Sequence, residues 1–88
     1  MKILDLPLKA KWFLMIEIGT KREEYREIKP FWKKRLFKGY THVRFRYGYT
    51  KRTMLYELNE IVIGKGRQEW GAPTEDVFVL KLGKRIGD

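Results

Sequence analysis

The chain has 88 residues, with 20 Lys and Arg against 11 Asp and Glu, a formal net charge of +9 and no cysteine. That length supports one domain over residues 1–88, because two would each fall below the size at which a core sustains itself. The missing cysteines exclude disulfides, zinc ribbons, iron–sulfur clusters and thiolate chemistry, and a lone histidine, His42, is a poor basis for a metal site.

Lys2–Leu6 alternates apolar and polar residues and predicts a first strand that Pro7 ends or marks as an edge. Between Leu8 and Ile18 the residues Trp12, Phe13, Met15 and Ile16 have helical spacing, with Gly19 placed to stop the helix. Arg22–Ile28 predicts a second strand without an apolar face, which suits an edge or a polar cleft. Period two puts Arg22, Glu24 and Arg26 on one side and Glu23, Tyr25 and Glu27 on the other. Pro30 opens a helix over Phe31–Lys38, with Trp32 and Leu36 inward, Lys33, Lys34 and Lys38 outward, and Gly39 closing it.

His42–Tyr49 is the clearest strand, with Val43, Phe45, Tyr47 and Tyr49 on one face and His42, Arg44 and Arg46 on the other. A basic turn over Tyr49–Thr53 leads to a strand over Met54–Ile63, where slipping alternation at Val62, Ile63 and Gly64 suggests a bulge. Lys65–Asp76 is a loop, and Val77–Leu82 is the last strand before a short basic tail. The fold class expected is α+β: a small curled sheet or β-barrel of about five strands with two helices plugging its end.

The positive charge is concentrated. Lys29, Lys33, Lys34, Arg35, Lys38, Arg44, Arg46, Lys51 and Arg52 fall in a segment without one acidic residue, and the rest of the chain is neutral. Such a field attracts polyanions, and the aromatics interleaved with it suit single-stranded nucleic acid. Gly64-Lys65-Gly66 is too short for a phosphate-loop fingerprint. No serine occurs, which removes serine hydrolase chemistry. The carboxylates Glu23, Glu24 and Glu27 lie among Lys21, Arg22 and Arg26, so no metal and no other cofactor is expected. No apolar run approaches the roughly 18–20 residues that cross a bilayer as a helix. With Lys2, Asp5 and Pro7 near the start, the expectation is a cytoplasmic protein without a membrane partner.

Gly19-x-Lys21-x-x-Glu24-x-Arg26, following a helix and entering a strand, resembles the signature of the ASCH domain family, small members of the PUA-like barrel superfamily. The preceding helix with Trp12, Phe13 and Ile16, the strand Val43-Arg44-Phe45-Arg46 and the closing Val77–Leu82 extend the resemblance over most of the chain. It implies a PUA-like barrel with a cleft between helices and sheet, where Lys21, Glu24 and Arg26 face RNA or a modified base. Some relatives resemble amidohydrolases acting on acetylated cytidine. Their threonine nucleophile corresponds to Glu24 here, which turns the reading away from that activity.

The expectation is therefore a module binding RNA or single-stranded nucleic acid. Lys33, Lys34, Arg44, Arg46, Lys51 and Arg52 would contact phosphates. Lys21, Glu24 and Arg26 would face the base, and Tyr25 or Trp70 would stack on it. The alternatives are a small hydrolase of RNA or a modified nucleoside using Lys21 and Glu24, and a basic domain binding an acidic protein. Monomer and dimer both remain open.

Overall fold

A computed structural model describes all of residues 1–88. The elements run β1 (Ile3–Leu8), α1 (Ala10–Glu17), β2 (Glu23–Arg26), α2 (Pro30–Leu36), β3 (His42–Tyr47), β4 (Thr53–Gly64), a single 3-10 turn over Gln68–Trp70, and β5 (Val77–Gly87). The strands form one mixed sheet in the order β1-β3-β4-β5-β2. Only β1 and β3 are parallel; the other neighbours are antiparallel. The result is an α+β domain whose sheet curls into a half-barrel.

The curl has a local cause. Along the β4–β5 pairing the register shifts between Leu55 and Tyr56, between Tyr56 and Leu58, and between Leu58 and Glu60. Each irregularity adds twist and bends the strand pair. The bulge expected at Val62–Gly64 is thus displaced toward the start of β4, and those three residues pair regularly with Val79, Phe78 and Val77. The last strand also outruns its expected end. Lys84–Gly87, which look like a tail in sequence, continue β5 because Leu55 and Tyr56 offer pairing partners to Gly87 and Arg85.

Helix α1 carries the chain from one edge strand, β1, to the other, β2. It inserts Phe13 and Ile16 into the open side of the curl, where both are fully buried among Leu4, Leu6, Val43, Phe45 and Leu80. Phe13 meets Tyr47 edge-to-face at 5.2 Å. Helix α2 then returns from β2 to β3. Its Leu36 joins the core and Trp32 packs on the margin, while Lys33 and Lys34 face solvent as the helical period requires.

A smaller apolar cluster of Tyr25, Ala72, Val77 and Val79 lies on the outer face of the β2–β5 end, beneath the loop 65–76. Tyr49, expected to share the inward face of β3, lies instead in the turn after the strand and is 95% exposed. No helix is long and apolar enough to cross a membrane.

Candidate functional site

Both free edges of the sheet are short and irregular in sequence, β1 because of Pro7 and β2 because of its charge. The curl brings them to opposite walls of one recess of about 250 Å³, lined on one side by Pro7, Leu8 and Lys9 and on the other by Glu24, Tyr25 and Arg26. Trp12 of α1 and Trp70 with Gly71 of the long loop complete it. Around Arg26 the recess opens into a wider cleft of about 840 Å³, bordered by Glu27, by Lys29 just before α2, by Trp32 of α2, and by Pro73, Glu75 and Asp76.

The pairing register determines what points where. Glu24 and Arg26 stand opposite Leu80 and Phe78, members of the main core, so both project to the inner side of the sheet. Tyr25 stands opposite Val79 and projects outward. Glu24 is therefore a nearly buried carboxylate and is compensated twice. Its Oε1 lies 3.2 Å from Lys21 Nζ, and its Oε2 is paired with the Arg26 guanidinium. Arg26 also donates to the carbonyl of Tyr25 and lies 5.1 Å from the centre of the Trp32 ring.

Lys21 is the deepest charge in the molecule, with no side-chain exposure. Its ammonium donates to the Trp70 carbonyl at 2.7 Å and sits 4.6 Å from the Tyr25 ring and 5.3 Å from the Trp12 ring. Loss of hydration on burial lowers the pKa of Lys21, and the neighbouring Glu24 carboxylate opposes that shift. Lys21 therefore does not reach the recess, although the sequence reading placed it facing a base. It supports the wall from behind.

Tyr25 is similarly committed. Its hydroxyl donates to Glu23 at 2.8 Å and accepts from the Arg67 N–H at 3.0 Å. Its ring lies between Lys21 and Gly66, where a Cβ would come within 2.5 Å. Burial raises its pKa well above the ordinary tyrosine value. Both expected stacking residues line the recess, but Tyr25 is buried and tied by these bonds, whereas Trp70 is half-buried with Arg67 4.7 Å from its ring centre. Trp12, one of the apolar residues with helical spacing, is the second aromatic wall. Its place next to Phe13, one residue off the buried Phe13–Ile16 stripe, is the only sequence sign that it turns away from the core.

The basic segment is divided among several surfaces. Arg44 and Arg46 alternate with buried Val43 and Phe45, so they lie on the outer face of the sheet, opposite to Glu24 and Arg26. Arg44 lies 3.5 Å from Asp5, and Arg46 donates to the Thr50 carbonyl. Arg52 is held by the Glu17 carboxylate at 2.8 and 2.9 Å and lies 5.3 Å from the rings of Phe13 and Tyr47. Lys33, Lys34 and Lys51 are exposed.

This geometry suits recognition better than proton transfer. Each oxygen of Glu24 already faces a cation, leaving lone pairs to accept from a ligand amine but no free basic oxygen. The enclosed Lys21 ammonium cannot touch a phosphate, and Arg44 lies on the outer face of the sheet. No group of three or more His, Cys, Asp or Glu side chains converges as a metal site. No protein-family model matches the chain, no curated protein matches it, and no solved structure matches it.

Proposed function

We propose that the domain binds single-stranded nucleic acid, RNA foremost, by taking a nucleotide into the recess between the two sheet edges, as an ASCH-type module in the cytoplasm would. The observation that carries this reading is the presence of Trp12, Trp70, Glu24 and Arg26 around one small recess in a protein of net charge +9. Unpaired bases are recognised by stacking on aromatic rings and by hydrogen bonds to their polar edges. Glu24 supplies acceptors for an exocyclic amine, Arg26 supplies donors for a carbonyl or phosphate oxygen, and Trp70 supplies a ring face. Lys9 and Lys29 border the recess and the adjoining cleft, where the strand's phosphates would run.

The test is fluorescence anisotropy with mixed-sequence single-stranded RNA. If about four phosphates are neutralised, the salt slope is near −3, and a fourfold rise in salt weakens binding about 50-fold. Trp70→Ala removes the ring and leaves the carbonyl that holds Lys21, so it should weaken binding about tenfold without unfolding the domain. Absence of binding at low salt, or binding indifferent to both salt and Trp70→Ala, overturns the reading.

A further inference from the structure

The recess explains one nucleotide, but the turn between β3 and β4 carries features it does not use. Tyr49 is 95% exposed, the most exposed large apolar side chain in the protein. It stands in a turn that is nonetheless well tied. Tyr47 N–H donates to the Arg52 carbonyl, and Thr50 Oγ1 donates to the Tyr47 carbonyl at 2.7 Å and accepts from Arg52 N–H. Arg46 donates to the Thr50 carbonyl at 3.1 Å. None of these bonds uses the Tyr49 side chain. A ring this exposed adds no buried apolar area to the turn, and its nearest charged neighbours in sequence, Arg46, Lys51 and Arg52, are all cationic.

The turn is also joined to the recess. The N–H of Gly48, the residue before Tyr49, donates to the carbonyl of Leu8 at 2.8 Å. Leu8 and its neighbours Pro7 and Lys9 form one wall of the recess. Lys29 and Trp32 border the wider cleft around Arg26, together with Glu27, Glu75 and Asp76. The acid-free segment Lys29–Arg52 thus starts at the wider cleft and ends in the turn tied to Leu8, although its central arginines, Arg44 and Arg46, face away from the recess.

We infer that a single nucleic-acid strand runs the length of this groove and that Tyr49 is a second stacking platform, for the nucleotide leaving the recess past Leu8, with Lys51 on its phosphate. This rests on the reading of the recess as a nucleotide site. Stacking on an exposed tyrosine tolerates any base, so this second position adds affinity for a strand and little choice of sequence.

The experiment compares two ligands, a nucleoside monophosphate and a single-stranded RNA of roughly ten nucleotides, a length within the site size of small single-strand binders. Wild type, Tyr49→Ala, Tyr49→Trp, Lys51→Ala and Trp70→Ala are measured against both. Tyr49→Ala should weaken the oligonucleotide about tenfold and leave the monophosphate unchanged, and Tyr49→Trp should restore the oligonucleotide. Lys51→Ala should reduce the magnitude of the salt slope by about 0.7, the share of one phosphate on a single strand. Unchanged oligonucleotide affinity in Tyr49→Ala, with Trp70→Ala still weakening it, overturns the inference and leaves the recess reading standing. A wild type that binds neither ligand overturns both.

Discussion

Lys21 and Trp70 are joined by a bond 2.7 Å long from the buried lysine ammonium to the tryptophan carbonyl, which spans 49 positions of chain. Through it the segment just before β2 holds the long loop in place, and the loop in turn brings Trp70 to the recess. The same ammonium neutralises Glu24 from behind. A charge that never meets solvent therefore shapes a wall that does.

Replacing this lysine tests that role. Lys21→Met leaves Glu24 with Arg26 alone and the Trp70 carbonyl without its donor. Because Glu24 keeps Arg26, the loss is chiefly that of the charge-assisted bond to the Trp70 carbonyl, about 1–3 kcal/mol. The unfolding midpoint in urea should fall accordingly, and a midpoint within error of wild type would show that Lys21 does not hold the loop.

Gly71 has a separate constraint. Its φ is +97°, in the left-handed region, and a Cβ there would lie 2.8 Å from the Trp12 ring. Gly71→Ala should cost roughly 1–3 kcal/mol, from strain and from displacement of Trp12. The displacement should also shift the tryptophan fluorescence maximum, a readout that backbone strain alone would not move.

The plug action of α1 predicts a contrast between two phenylalanines. Phe13 is fully buried and Phe31 is 65% exposed. Phe13→Ala should destabilise by about 3–5 kcal/mol, whereas Phe31→Ala should stay within about 0.5 kcal/mol. Equal effects in thermal unfolding would refute the placement of α1 inside the curl.

Alkaline pH should separate the buried tyrosines from Lys21. Burial raises the pKa of Tyr25 and of Tyr56, whose hydroxyl donates to the Ile16 carbonyl. Above the ordinary value of 10.0 the unfolded chain loses these protons first, so their contribution to stability declines as pH rises further, by at most about 1.4 kcal/mol per pH unit for each group. Lys21 has the opposite sign. Its pKa is lowered, so its contribution grows as pH climbs toward the unfolded value of 10.5. Tyr25→Phe should be less stable at neutral pH, having lost two hydrogen bonds, yet show a shallower fall between pH 10 and 11. A fall as steep as that of wild type would exclude Tyr25 as its source.

Much of the architecture was legible in local pattern. The helical spacing around Phe13 and Ile16, Pro30 at the head of α2, and the alternation of Val43 and Phe45 with Arg44 and Arg46 each express a period that burial on one side imposes. The edge position of β2 followed from a strand without an apolar face, and the basic excess and the absence of thiols were plain in composition. The shared side of Glu24 and Arg26 also followed from the period of a strand.

Other features depended on residues far apart in the chain. Whether Lys84–Gly87 form strand depends on β4 beside them, and whether Tyr49 is core depends on where β3 stops pairing. Lys21, Glu24 and Arg26 read alike in sequence as polar groups near a cleft, yet one is enclosed, one nearly so and one lines the opening. That difference is set by how the loop 65–76 folds back over the edge of β2. Burial and the direction of a side chain within a curled sheet are properties of the surrounding chain, and a residue's own neighbours in sequence do not encode them.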